Sequence, residues 1–95
     1  MIFRERIVEA IKQVKDPEIG LDIWTLGLIY DIQVSAEEDV YIKMTYTTPL
    51  CPFGKEMSEE IHRRIKELKP KTLKIEVVFD PPWQPSGELR AMLGV

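Results

Sequence analysis

A chain of 95 residues, 44% hydrophobic and 31% charged, is long enough for one compact domain with one core and too short for two. Its net charge of -3 comes from 16 acidic and 13 basic residues interspersed along the chain, which argues against a surface that tracks nucleic-acid phosphates or anchors to a membrane. A domain this small buries only roughly 60 to 65% of its unfolded surface, so function is expected on the surface or at an interface and not in an enclosed substrate cavity.

No apolar run approaches the roughly 20 residues needed to span a bilayer. The first ten residues, MIFRERIVEA, are amphipathic and charged instead of forming a long apolar signal region, and one cysteine excludes an internal disulfide. The expected address is the cytoplasm. Asparagine is absent while Glu, Lys and Arg are abundant, a bias reported for proteins working at high temperature.

From Ile2 to about Val14, Phe3, Ile7, Ile11 and Val14 recur at helical spacing, with Arg4, Glu5, Glu9 and Lys12 mostly on the other side; the period predicts an amphipathic helix. Asp16-Pro17 is expected to stop it, since a residue before proline is pushed out of the α region. A loop containing Gly20 and Gly27 follows. Leu28 to Ser35 then alternates, with Leu28, Tyr30, Ile32 and Val34 on one face and Ile29, Asp31, Gln33 and Ser35 on the other. Val40, Ile42, Met44 and Tyr46 repeat the alternation, and both runs read as half-buried strands. The link Ala36-Glu37-Glu38-Asp39 has the length that joins antiparallel neighbours, although it lacks the usual Asn-Gly signal.

After Thr47-Thr48-Pro49-Leu50-Cys51-Pro52, residues Met57, Ile61, Ile65 and Leu68 define a second amphipathic helix that Lys69-Pro70 ends. Its basic residues are interleaved with Glu56, Glu59, Glu60 and Glu67, as intrahelical ion pairs would require. Thr72 to Phe79 is the next strand, with Leu73, Ile75, Val77 and Phe79 on its apolar face. Asp80-Pro81-Pro82-Trp83-Gln84-Pro85 is excluded from sheet interior by its three prolines, and Glu88 to Leu93 is a short helical candidate. The expected fold is α+β: a two-layer sandwich of order α-β-β-α-β with a short C-terminal helix, its small mixed sheet covered by two helices on one face. The link through the second helix is long enough for a parallel crossover.

Chemistry centres on Cys51. Pro52 biases it toward extended backbone and suits the first helical position, so Cys51 is the expected N-cap, where the positive end of the helix dipole favours thiolate. Gly54 in the first turn would leave the sulfur approachable. The competing structural role is an inert buried thiol. Thr47 and Thr48 would donate hydrogen bonds to a thiolate or to sulfide, or simply be solvated. His62, the only histidine, lies roughly 15 Å along the helix from Cys51; a Cys-His dyad or a zinc ion shared by the two is excluded within one chain. Cys51-Pro52-Phe53-Gly54 has glycine where a resolving cysteine would stand in a redox motif, leaving only monothiol chemistry. Asp16, Glu18 and Asp22 form an acidic loop whose plain role is to hold a turn, and Trp83 reads as a lid over the core.

Three segments, Asp16-Pro17-Glu18-Ile19 through Leu26-Gly27-Leu28-Ile29, then Thr47 to Pro52, then Asp80-Pro81-Pro82-Trp83, together resemble the SufT/PaaD-like family, also called domain of unknown function 59. The resemblance covers nearly the whole chain as a single domain over residues 1–95. It implies a non-enzymatic accessory role in iron-sulfur cluster assembly or maturation, with carriers, scaffolds or client proteins as partners. It also implies a site at Cys51 lined by Asp16, Glu18, Thr47 and Thr48, with Pro17, Gly27 and Trp83 as architecture. The tail after Trp83 is shorter than the family's usual W-T-P ending. A cluster normally takes four protein ligands, mostly thiolates, and this chain has one cysteine. A transient cluster shared with a second chain is therefore expected, from a homodimer or a partner, with none held stably by one chain. The alternatives are a monothiol redox protein or thiol enzyme, and an adaptor for a multicomponent oxygenase or other metalloenzyme.

Overall fold

A computed structural model describes residues 2–17, 19–47 and 53–93, with residues 92 and 93 described by backbone alone. Its elements are α1 (Arg4–Ile11), β1 (Ile29–Val34), β2 (Asp39–Met44), α2 (Gly54–Lys66), β3 (Thr72–Val77) and α3 (Gly87–Leu93). The strands form one sheet in the order β1-β2-β3; β1 and β2 are antiparallel, while β2 and β3 are parallel across the α2 crossover. Helix α1 packs against α2 and β1, and α2 against β3. The predicted α+β sandwich, including its element order and mixed sheet, is what the chain forms. No helix among the described residues is long and apolar enough to cross a membrane.

The core lies between the helices and one sheet face. Ile7 and Ile11 of α1, Met57, Ile61 and Ile65 of α2, and Val40, Ile42 and Met44 of β2 are all buried there. Their spacings are those the helical and strand periods predict. The opposite sheet face is polar, carrying Asp31 and Gln33 beside Tyr41 and Lys43, with Lys74 and Glu76 beyond. On it Tyr41 Oη donates to Glu76 Oε1 at 2.7 Å. That bond, aided by partial desolvation and by the charges of Glu76 and Asp31, raises the Tyr41 phenol above its ordinary pKa.

Several boundaries differ from the periodic reading. Helix α1 stops at Ile11, three residues short of Val14, because Gln13 and Val14 N–H bond three residues back and tighten the chain out of the helix. Val14 stays buried, but its C=O accepts Ile23 N–H at 2.9 Å. In β1 a bulge lies between Ile29 and Asp31, so Ile29 pairs with Met44 and Tyr30 is the extra residue. The alternation that placed Tyr30 on the core face and Ile29 on the polar face is thereby reversed at the strand's start. Strands β2 and β3 end at Met44 and Val77, and Phe79, expected on the buried face, is 43% exposed. The hairpin forms without Asn-Gly because Glu38 adopts φ 67° and its N–H bonds Ser35 C=O at 3.0 Å.

Helix α2 carries the expected ion pairs, Lys55 to Glu59 at 4.0 Å and Arg64 to Glu60 at 2.9 Å. It ends where Lys69 takes φ 59° just before Pro70. His62 is exposed on its surface, as expected of a solvated helix residue. In α3, Ser86 caps the first turn through its Oγ, which accepts Leu89 N–H at 3.1 Å.

Candidate functional site

The described parts of the three segments that stood out in the sequence, the loop before β1, Thr47, and Asp80 to Trp83, come to one end of the sheet. Because β2 and β3 are parallel, both finish there, and antiparallel β1 starts there. A relay of backbone bonds stitches the acidic loop to this end. Leu28 N–H donates to Ile23 C=O at 3.1 Å, and Thr45 N–H donates to Leu28 C=O at 2.8 Å. The chain then runs through Thr47, half-buried just beyond β2, toward Cys51. On the neighbouring strand Val78 N–H donates to Met44 C=O at 2.8 Å, which brings Phe79 and the Asp80-Pro81-Pro82-Trp83 segment to the same end.

Aromatic side chains hold these irregular segments together. Trp83 Nε1 donates to Leu26 C=O at 2.6 Å while its ring packs on the core, and Tyr30 Oη donates to Pro81 C=O at 2.8 Å. The predicted lid role of Trp83 is therefore realised over Leu26 and Gly27. Gly27 has φ 76°, a conformation that side chains rarely adopt. Tyr46, which the alternation assigned to a strand, leaves the sheet: its Oη donates to Gly54 C=O at 2.9 Å and lies 2.7 Å from Ser58 Oγ. Its ring also faces Phe79, centroids 6.1 Å apart.

Helix α2 begins at Gly54, and Phe53, with φ -104° and ψ 9°, is its N-cap and makes no side-chain cap bond. The expectation that Cys51 is the N-cap is corrected: Cys51 precedes the cap by two positions. The backbone of the first helical residue instead lies against the Tyr46 ring. A Cβ on Gly54 would stand 2.7 Å from Tyr46 Cε2. Gly54 is thus explained by this ring, which the sequence pattern did not reveal; a tyrosine at the end of one element and a glycine opening the next was the available signal. Since a helix dipole acts mainly within its first turn, the thiolate argument for Cys51 is correspondingly less direct.

Asp16 is 1% exposed, and its bonds hold a turn. Its N–H donates to Leu21 C=O at 2.9 Å, its C=O accepts Gly20 N–H at 2.7 Å, and its Oδ1 accepts Ile19 N–H at 3.4 Å. Asp22 does the same for the next turn, accepting Thr25 N–H at 2.9 Å and Thr25 Oγ1–H at 2.6 Å. Of the sequence-predicted site residues, Asp16 and Thr47 are thus on segments brought to one end of the sheet, while Glu18, Thr48 and Cys51 lie outside the described residues. Among the described residues no group of three or more His, Cys, Asp or Glu side chains is placed to hold a metal ion. Thr45, wholly buried and bonded to Leu28, is a further anchor that the alternation alone did not single out.

A family model described as "Iron-sulfur cluster assembly protein" matches residues 4–77. The Fe-S protein maturation auxiliary factor YitW of Bacillus subtilis is 36% identical over 81 residues, 84% of this chain and 79% of that protein. The Fe-S protein maturation auxiliary factor SufT of Staphylococcus aureus is 34% identical over 71 residues, 74% of this chain and 81% of its own. Among solved structures, the conserved hypothetical protein TM0487 of Thermotoga maritima superposes with a TM-score of 0.87 at 40% identity, covering 99% of this chain and 96% of that one.

Proposed function

The chain belongs to the iron-sulfur cluster assembly protein family, and from that membership we propose that it is an accessory in the assembly or maturation of iron-sulfur proteins. Cys51 acts as a transient cluster ligand or as the point of partner recruitment, with Thr47 and Thr48 as neighbouring hydrogen-bond donors and the Asp16-Glu18 loop as the wall of the site. The cluster is cargo. With one cysteine in the chain and four ligands needed, the remaining ligands come from a carrier, scaffold or client protein in the cytoplasm, or from a second copy of the chain. No turnover of a substrate is required of the protein in this role.

The observation that supports this reading best is the convergence, at one end of the sheet, of the described parts of the three family segments, Thr47 standing for the second. Backbone bonds from Leu28 to Thr45 and from Val78 to Met44 gather them, and the aromatic contacts of Trp83, Tyr30 and Tyr46 hold them. Such an end presents backbone that is not engaged in the sheet beside a rigid support, as a surface that passes a cargo between proteins needs.

Anaerobic reconstitution with iron and sulfide, alone and with an apo client, tests the ligand role. Wild-type protein is expected to show thiolate-to-iron absorbance and bound iron that Cys51→Ser lacks. Equal absorbance and iron in both would exclude ligation by Cys51. Intact client maturation by Cys51→Ala would identify an adaptor that does not use the sulfur, and rapid iodoacetamide labelling at neutral pH coupled to turnover would identify a monothiol enzyme.

A further inference from the structure

Strand β3 forms one edge of the sheet, and among the described residues no strand pairs with its outer side. Its backbone phase follows from its inner side. Val78 N–H bonds Met44 C=O, and bonding groups alternate along a strand, so Lys74 and Glu76 also turn N–H and C=O toward β2. Leu73, Ile75 and Val77 turn theirs to the open edge. The side chains of these three residues are in register with Val40, Ile42 and Met44 on the core face. There the cover is incomplete: Ile42 and Met44 are 0% exposed, whereas Ile75 and Val77 are only half-buried. A groove between β3 and α2 is lined by Ile75 and Val77 with Lys55, Ser58, Glu59 and His62.

We propose that a second copy of this chain pairs antiparallel with this edge, Ile75 opposite Ile75, joining two three-stranded sheets into one continuous sheet. Charge selects both the occupant and the register. Centring on Ile75 sets Lys74 of each copy opposite Glu76 of the other, twice by symmetry, at non-hydrogen-bonded positions where facing side chains approach most closely. Leu73 then meets Val77 on the helix side and extends the apolar row across the junction. Centring on Leu73 or Val77 keeps the same backbone phase but loses both Lys74–Glu76 pairs: the first sets Lys74 against Thr72, and the second sets Glu76 against Val78 and Lys74 against Asp80, which lies beyond the end of the strand. An edge lysine ordinarily discourages pairing; with glutamate two residues on, the strand is complementary to itself.

The arrangement separates the two functional ends. Antiparallel pairing points the ends where β2 and β3 finish in opposite directions, with about 20 Å of six-residue strand between them. The dimer therefore keeps the two ends apart. This inference stands on the strand edge alone and holds whether or not Cys51 binds a cluster.

Sedimentation equilibrium of the full chain from micromolar to millimolar concentration tests it, with circular dichroism to verify each fold. A monomer–dimer equilibrium is expected, with K74E and E76K each weakening the dimer about tenfold or more at low salt and the double variant restoring it to within about threefold. Ile75→Pro, which removes an N–H facing the open edge and is tolerated there, is expected to leave a folded monomer. A wild type that stays monomeric throughout overturns the proposal. So does a dimer indifferent to both single reversals and to Ile75→Pro, or a monomer that takes up an added extended peptide on this edge instead.

Discussion

At the hairpin end of the sheet, the chain is closed mostly by polar bonds between near neighbours. Ser35 N–H donates to Asp39 C=O and Asp39 N–H returns to Ser35 Oγ, both at 3.0 Å, while Lys71 N–H to Glu38 C=O at 2.9 Å and Thr72 Oγ1 to Asp39 Oδ1 at 2.7 Å reach across from the β3 side. At the opposite end aromatic side chains make the closing bonds, two of them between residues far apart in sequence, Tyr30 to Pro81 and Trp83 to Leu26, and one, Tyr46 to Gly54, between residues eight positions apart. An aromatic ring with a polar tip excludes water and satisfies a carbonyl at once. It can therefore fix irregular backbone that no ladder holds. The contrast suggests that the hairpin end needs only to turn the chain, whereas the other end must keep three separate segments in one arrangement.

Breaking the long-range end should therefore cost far more than breaking the local one. Trp83→Ala removes the indole from the core and leaves Leu26 C=O without its donor, and is expected to lower stability by about 2 to 4 kcal/mol, read from urea unfolding. Client maturation should fall with it, since Leu26 and Gly27 lose their cover. Gly54→Ala forces a methyl against the Tyr46 ring; after the gain in helix propensity, a net loss of about 1 to 2 kcal/mol is expected in the same assay. At the hairpin, Asp39→Ala loses the Thr72 bond in a partly solvated turn and should cost only about 0.5 to 1 kcal/mol. If Asp39→Ala proves as damaging as Trp83→Ala, the contrast between the two ends is wrong.

The smallest effect is expected at Tyr41, on the open sheet face between the two ends. Its phenol pKa is raised chiefly by the bond to Glu76. A raised pKa contributes stability that is fully present below the ordinary phenol value and lost as pH rises through the raised one. Alkaline unfolding should thus show a shallow loss of stability in that window that Tyr41→Phe lacks, and absorbance titration should lose one phenolate step in the variant.

Much of the fold was legible because burial imposes a period. Ile7 and Ile11, the Met57-Ile61-Ile65 stripe, and Val40-Ile42-Met44 each lie where helix or strand spacing puts them. Periodicity fails where a segment answers to a distant contact. The bulge at Tyr30 reverses the phase of β1 at its start, Phe79 passes beyond the sheet, and α2 opens on Gly54, where the Tyr46 ring leaves no room for a side chain. No local pattern encodes these outcomes, since each depends on residues that neighbour one another only after folding. The candidate site shows the same division. The motif residues Asp16, Thr47 and Trp83 stood out in the sequence, but Tyr46 and Thr45, which help to gather or hold those segments, did not, and Gly54 stood out for access to Cys51 and not for the Tyr46 ring it receives.

The sequence by itself determined the element types, the α+β class, the family and the solitude of the one cysteine, because these rest on composition, period and motif spacing. Only the tertiary structure decided that β2 and β3 run parallel to a common end, that aromatic tips fix irregular segments there, and that among the described residues no strand pairs with the outer edge of β3. Those outcomes depend on which surfaces meet when the core closes, and a single strand or helix carries no record of its eventual neighbours.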